Sequence, residues 1–389
     1  MVKKRILTLN NISAQGLDRF PRDQYEVSSE FSAPDAIMLR SFKMHEMTIP
    51  ESLIAVGRAG AGVNNIPVDK MSERGIAVFN APGANANAVK ELVLAGMLLA
   101  CRNICQAWDY TCQLEGDDAQ LLKAVEDGKK KYVGYELPGR TLGVIGLGAI
   151  GVKVANAAIS LGMNVIGYDP GISVKSAWNL SAEVQSTSSV DDMMSKVDFI
   201  TLHVPLIPAT QHLINADRLA MMRKGGVILN FARDGIVDDV AALAALDTGQ
   251  LHAYVTDFPS NLLKGRSGVI TLPHLGASTH EAEQNCAVMV ADQLKDYLEQ
   301  GNVTNSVNFP EVHLSRASEF RLSVVNANMP DMVGQISHVL GSHGINIQHM
   351  VNESRKDIAY TLMDLDKEIP EAMLQQIAQI NGVLAVRSL

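Results

Sequence analysis

Two groups of residues in this 389-residue chain have types and spacings that can do chemistry. The first is Gly146, Gly148 and Gly151, on the spacing G-x-G-x-x-G, with Asp169 eighteen residues past the last glycine. Gly146 permits a tight turn. Gly148 lets backbone N–H groups approach a pyrophosphate. Gly151 lets the following helix pack close, and Ala149 and Ile150 open that helix, whose N-terminus favours phosphate. Asp169 can accept hydrogen bonds from ribose hydroxyls and repels a 2′-phosphate, which favours NAD over NADP. The second group is Arg233, Asp257 and His274, each just after a short apolar run. Each alone is unremarkable chemistry: a surface arginine, a turn acid, a structural histidine. Delivered to one sheet edge they become a cation, an anion and an acid–base group beside a dinucleotide.

The elements that must position these groups are legible around them. Leu142–Ile145 reads as a strand, the Ala-rich segment up to Gly162 as a helix, and Met163–Tyr168 as a second strand ending at Asp169. Further strands are expected at 198–204, ending near His203, and at 226–231, before Ala232 and Arg233. Two more are expected at 253–256, before Asp257, and at 269–272, before Pro273 and His274. Residues 1–80 repeat the alternation without a glycine triplet, with strands at 5–9, 36–39, 53–56 and 76–79. Two strand-end loops there, Leu39–Lys43 and Gly57–Gly62, combine Arg40, Lys43 and Arg58 with free N–H donors. They read equally as a carboxylate or phosphate site and as solvated surface turns. A continuous apolar helix from 88 to 108 fits either a subunit interface or an internal core, and a helix at 281–300 leads back toward the first unit. Residues 318–389 change rhythm to β-α-β-β-α-β, the ferredoxin-like order. There Asn326, Asn328 and Asn346 fall near expected strand and helix ends, as amino-acid ligands or as turn formers.

Composition sets the outer bounds. A 47% hydrophobic, 19% charged chain with net charge −9 is ordinary for globular α/β domains and argues against nucleic acid or an anionic membrane as partner. No apolar run reaches transmembrane length, and the basic start M-V-K-K-R is followed by too short an apolar stretch for a signal peptide. Cys101, Cys105, Cys112 and Cys286 form no C-x-x-C pair, which fits reduced thiols in a cytoplasm. The histidines form no H-E-x-x-H spacing, so no metal is expected.

With these segments placed, the chain resembles the D-2-hydroxyacid dehydrogenase family, and within it the D-3-phosphoglycerate dehydrogenases that carry a C-terminal ACT domain. The resemblance rests on Leu39-Arg40-Ser41, V-G-R-A-G-A-G-V-N-N at 56–65, Asn80-Ala81-Pro82 and V-I-G-L-G-A-I-G at 144–151. It continues through T-L-H-V-P at 201–205, L-N-F-A-R-D-G-I-V-D-D at 229–239, P-H-L-G-A-S-T at 273–279 and V-T-N-S-V-N-F-P at 303–310. It implies two doubly wound parallel-sheet lobes plus an ACT domain. The substrate lobe would be 1–90 with 281–305, the Rossmann NAD domain 91–280, the linker 306–317 and the ACT domain 318–389, with hinges near 86–92 and 279–285. The implied reaction is NAD-dependent oxidation of 3-phosphoglycerate, the entry to serine synthesis. Arg233 would bind the substrate carboxylate and polarise its reacting oxygen, and His274 would be the acid–base group. His203, Val204, Pro205, Ala232, Asp257 and Gly276 would join the glycine loop and Asp169 at the cofactor. Arg40, Ser41, Lys43, Arg58, Gly60, Ala61 and Gly62 would face the substrate. L-serine is the effector implied for Asn326, Asn328 and Asn346, and a homodimer or homotetramer the assembly.

The chain departs from the family twice. The glutamate that normally pairs with the histidine is missing, since residues 258–280 contain no Asp or Glu; Asp257 and Asn261 are the candidates to replace it. Asn326 also stands where serine-sensing relatives often have histidine. Two other functions compete: a dehydrogenase of another D-2-hydroxy acid, and a non-catalytic NAD-sensing protein on the same fold.

Overall fold

The structure is a computed structural model that describes residues 3–389. The described chain divides into two compact units, one formed by the segments up to Asn85 and from His280 to Leu389, the other by Ala86–Thr279. No helix among the described residues is long and apolar enough to cross a membrane.

The first unit begins with five parallel strands: β1 (Lys4–Leu9), β2 (Tyr25–Ser28), β3 (Ala36–Leu39), β4 (Ala55–Arg58) and β5 (Ala77–Phe79), in the order β2-β1-β3-β4-β5. The internal strand β3 and the edge strand β5 are buried at every position and carry only apolar residues, as covered parallel strands do. The sequence signal missed β2, a four-residue edge strand, because Y-E-V-S is too short and polar to stand out.

The second unit holds seven parallel strands: β6 (Thr141–Ile145), β7 (Asn164–Tyr168), β8 (Gln185–Ser186), β9 (Phe199–Leu202), β10 (Gly226–Asn230), β11 (Leu251–Thr256) and β12 (Val269–Thr271). Their order, β12-β11-β10-β9-β6-β7-β8, reverses at β6 and β9. Ligands in doubly wound sheets bind beyond the strand carboxyl ends at such a switch. The long helix expected over 88–108 is two helices, Ala86–Cys101 and Ile104–Cys112. Asn103 breaks it with a φ of +51°, a left-handed conformation asparagine tolerates, which ends the i→i−4 ladder.

The C-terminal segment forms the expected antiparallel sheet, β13 (Phe320–Ala327), β14 (Ile347–Arg355), β15 (Ile358–Leu365) and β16 (Val383–Ser388), ordered β14-β15-β13-β16. One face, with Leu322, Val324, Met363 and Leu365, lies under the helices Met332–Ser342 and Glu371–Ala378. The other face is covered along β13 and β15, while β14 at the edge stays largely exposed. Val325, Ile358, Tyr360 and Leu362 share one core with Ile6, Phe79, Tyr297 and Phe309 of the first lobe. The segment read as a linker is therefore structured: Val303 and Val312 exchange backbone bonds of 2.8 and 3.1 Å, and Val307 donates to the Val78 carbonyl. The C-terminal domain is not a tethered module but part of the first unit.

The helix His280–Gln300 joins the two parts of this unit. Its last carbonyls lack intrahelical partners. Lys4 donates to Leu298, Arg387 to Tyr297, Arg316 to Glu299 and Arg321 to Gln300. Four cations at a helix C-terminus also favour its dipole. Three of them come from residues beyond the expected linker start.

Candidate active site

In the second unit, Gly146 follows β6 and His203 follows β9, the strands flanking the switch. Gly146 has a φ of +91°, and a Cβ there would lie 2.5 Å from the His203 carbonyl oxygen. A Cβ on Gly151 would lie 1.9 Å from the Gly146 carbonyl oxygen, so helix Ala149–Ser160 reaches its position only with glycine there. Gly148 is different. A Cβ on it would touch nothing, and no side chain caps the helix start at Ala149 and Ile150. The open space and free N–H groups are what a pyrophosphate needs.

Asp169 stands just past β7 and accepts one backbone bond per oxygen, from Leu147 at 2.8 Å and Gly171 at 2.9 Å. Each oxygen keeps a lone pair for a ribose hydroxyl. His203 shares its Nε2 with the Thr201 hydroxyl at 3.0 Å, while its buried Nδ1 has no partner. Burial pushes its pKa down to about 3, so the ring is neutral near pH 7. An orphaned buried nitrogen beside the glycine turn fits a site completed by a dinucleotide. Val204 and Pro205 continue the same loop, outside β9. The expected contrast between glycines is testable. Gly148→Ala should melt like the unmutated protein without cofactor, yet weaken NADH binding by about tenfold or more, roughly 1.4 kcal/mol. Normal binding titrations for Gly148→Ala would show that the pyrophosphate lies elsewhere.

The adjacent strands β10, β11 and β12 end at Ala232–Arg233, Asp257 and Pro273–His274. The Arg233 loop is pinned by Asn230, whose Nδ2 donates to the Arg233 carbonyl at 3.0 Å, leaving the arginine side chain exposed. Asp257 is buried, and its two oxygens accept from the N–H groups of Leu275 and Gly276, both at 2.9 Å. It therefore clamps the loop that carries His274 instead of reaching the imidazole. His274 itself has a φ of +56°, uncommon for a side-chain-bearing residue. The Asp257 clamp sustains that conformation and turns the ring toward the Phe258 edge, centroid to centroid 5.2 Å. Neither Asp257 nor Asn261 hydrogen-bonds the ring among the described residues. A phenyl ring stands where the sequence left the orienting group open.

In the first unit, β3 and β4 pair Leu39 with Arg58, so the two loops beyond them are neighbours. Arg58 Nε donates to the Arg40 carbonyl at 3.0 Å, and Asn65 Nδ2 donates to Arg40 and Phe42 carbonyls at 3.2 and 2.8 Å. Ser41 N–H is held by Asn10. The Arg58 guanidinium lies over Gly60, where a Cβ would be 2.2 Å from it; Gly62 lies at the edge of the same guanidinium. Asn80 donates to Ala61 at 2.5 Å. Lys43 is exposed on the same loop. The Arg58 side chain and the Arg40 backbone are thus tied together at one sheet edge. Sequence reasoning missed Asn65, Asn10 and Glu283, whose carboxylate pairs with Arg40 at 2.7 Å. Asn65 sits within the V-N-N motif and had a signal; Glu283, on a distant helix, had none.

The three asparagines do not meet. Asn326, at the end of β13, donates to the Ala327 carbonyl and keeps a buried Oδ1 without a partner; Asn328 bonds the Lys356 carbonyl. Asn346 precedes β14 beside Asp366. Since β13 and β14 both run antiparallel to β15, Asn346 lies at the opposite end of the sheet. The intervening helix returns the chain to where β13 began.

Residues 94–282 match the model of the D-isomer specific 2-hydroxyacid dehydrogenase NAD-binding domain. A D-3-phosphoglycerate dehydrogenase of Methanocaldococcus jannaschii is 39% identical over 295 residues, covering 74% of this chain and 53% of that protein. The chain thus spans about half the length of that relative. A D-3-phosphoglycerate dehydrogenase of Haemophilus influenzae is 32% identical over 349 residues, covering 87% of this chain and 81% of that one. The chain belongs to the D-isomer-specific 2-hydroxyacid dehydrogenase family. It carries that family's NAD-binding domain, and the glycine loop and Asp169 lie within the matched segment. A solved D-mandelate dehydrogenase of Rhodotorula graminis shares the fold, with a TM-score of 0.68 at 23% identity over 81% of this chain and all of that one.

Proposed function

We propose that this protein oxidises D-3-phosphoglycerate to 3-phosphohydroxypyruvate with NAD, the entry to L-serine synthesis. The observation that carries the reading is the delivery of Arg233 and His274 to one edge of the NAD-binding sheet, at the ends of β10 and β12 on either side of β11. The names of the relatives support the substrate. NAD supplies the hydride acceptor; the chain's residues do the rest. Arg233 holds the carboxylate and polarises the reacting oxygen. His274 takes the hydroxyl proton in oxidation and returns it in reduction. Arg40, Lys43 and Arg58 supply the positive charge a phosphorylated acid needs. Asp169 selects NAD over NADP.

L-serine as effector, a cytoplasmic location and a homo-oligomeric state belong to the same reading. Asn326, Asn328 and Asn346 could share one effector only if a second copy brought opposite sheet ends together.

The test follows NADH absorbance during reduction of 3-phosphohydroxypyruvate, with unphosphorylated 2-keto acids in parallel. A strong preference for the phosphorylated acid is expected. Activity confined to unphosphorylated acids would assign another D-2-hydroxy acid, and NAD binding without turnover would make the protein an NAD sensor.

A further inference from the structure

At the cationic edge, Arg40 is paired with a carboxylate, that of Glu283. Arg40 Nη2 lies 2.7 Å from Glu283 Oε1, and both side chains are partly exposed. Glu283 sits in the first turn of helix His280–Gln300, within the same unit as Arg40 and Arg58. The three charges converge on Cys286, one turn further on and buried. Burial raises its pKa first, Arg58 and then Arg40 pull it down, and Glu283 pushes it up.

We propose that Glu283 is a specificity-tuning residue that serves as the resting counter-ion of Arg40 and is exchanged for the ligand phosphate on binding. This rests on the phosphorylated-acid reading above. The reason is electrostatic. Substrate and product both carry a phosphate and a carboxylate, so a site of Arg40, Arg58 and Lys43 without an anion would hold both tightly and release product slowly. An acidic residue already paired with one arginine lowers that affinity and gives Arg40 a partner when the ligand leaves. It also keeps a flexible guanidinium ordered at the mouth of the site, beside the carbonyl that Arg58 holds.

The test compares the unmutated protein, Glu283→Gln and Glu283→Ala in the reduction of 3-phosphohydroxypyruvate and of hydroxypyruvate. Both variants should lower KM for the phosphorylated acid by about threefold, the order expected for one partly exposed charge. KM for the unphosphorylated acid should change less, and kcat should not rise. The gain should shrink at high ionic strength, which screens exposed charges. NADH titration and a melting curve check that each variant is folded. An unchanged or raised KM in either folded variant overturns the role of Glu283, while preference of the unmutated protein for the phosphorylated acid leaves the parent reading standing. An unmutated protein without that preference overturns the parent reading, and the proposal with it.

Discussion

Replacing His274 by asparagine is expected to lower kcat by about 10²–10⁴ while NADH binding stays within about twofold. The substitution is chosen for the backbone. His274 has a φ of +56°, and asparagine is among the few residues that accept this conformation readily. The loop should therefore keep its shape, held by Asp257 through the N–H groups of Leu275 and Gly276. What the variant removes is the imidazole that the proposed function makes the proton carrier. The ring packs against the edge of Phe258, and among the described residues neither Asp257 nor Asn261 hydrogen-bonds it. A variant within tenfold of the unmutated kcat would assign the proton transfer to another residue.

The same region shows what a sequence can and cannot disclose. Gly146 and Gly151 were legible because backbone atoms at 2.5 and 1.9 Å leave no other residue type possible. Arg233, Asp257 and His274 were legible because a parallel sheet puts all its strand ends on one edge, so order along the chain predicts neighbourhood. The substitute for the missing carboxylate was not legible, because Phe258 packs through an aromatic edge and such contacts have no spacing rule. Arg40 and Glu283 are far apart in sequence and meet only when the closing helix folds back on the first sheet. The docking of the C-terminal sheet did leave a trace. β15 reads I-A-Y-T-L-M-D-L and is buried at every position, the pattern of a strand covered on both faces and not of an open sheet face. The two helices account for one face; the apolar residues of the other required a partner, which is the first lobe.

That docking makes Arg321 a position of large effect. Arg321 and Asp364 are fully buried, with Nε–Oδ1 at 2.6 Å and Nη2–Oδ2 at 3.1 Å, and Arg321 Nη1 also donates to Gln300 at the helix end. Burial opposes the Asp364 charge, but its bonds from Arg321 and from Ala317 N–H outweigh that and hold its pKa below the ordinary carboxylate range. Arg321→Met should cost about 3–5 kcal/mol, because it strands Asp364 without its partner. The melting transition of the first unit should fall by on the order of 10 °C. Adding Asp364→Asn should recover much of the loss, since an amide oxygen still accepts from Ala317 and no buried charge remains. The pH dependence has a fixed sign. A carboxyl depressed on folding contributes stability in full above its unfolded pKa of about 4, and loses it as pH falls through the lower folded value. The double variant should therefore show a shallower acid loss than the unmutated protein. An Arg321→Met protein that melts unchanged would mean that the apolar interface of Tyr297, Phe309 and Tyr360 holds the two parts together without the ion pair.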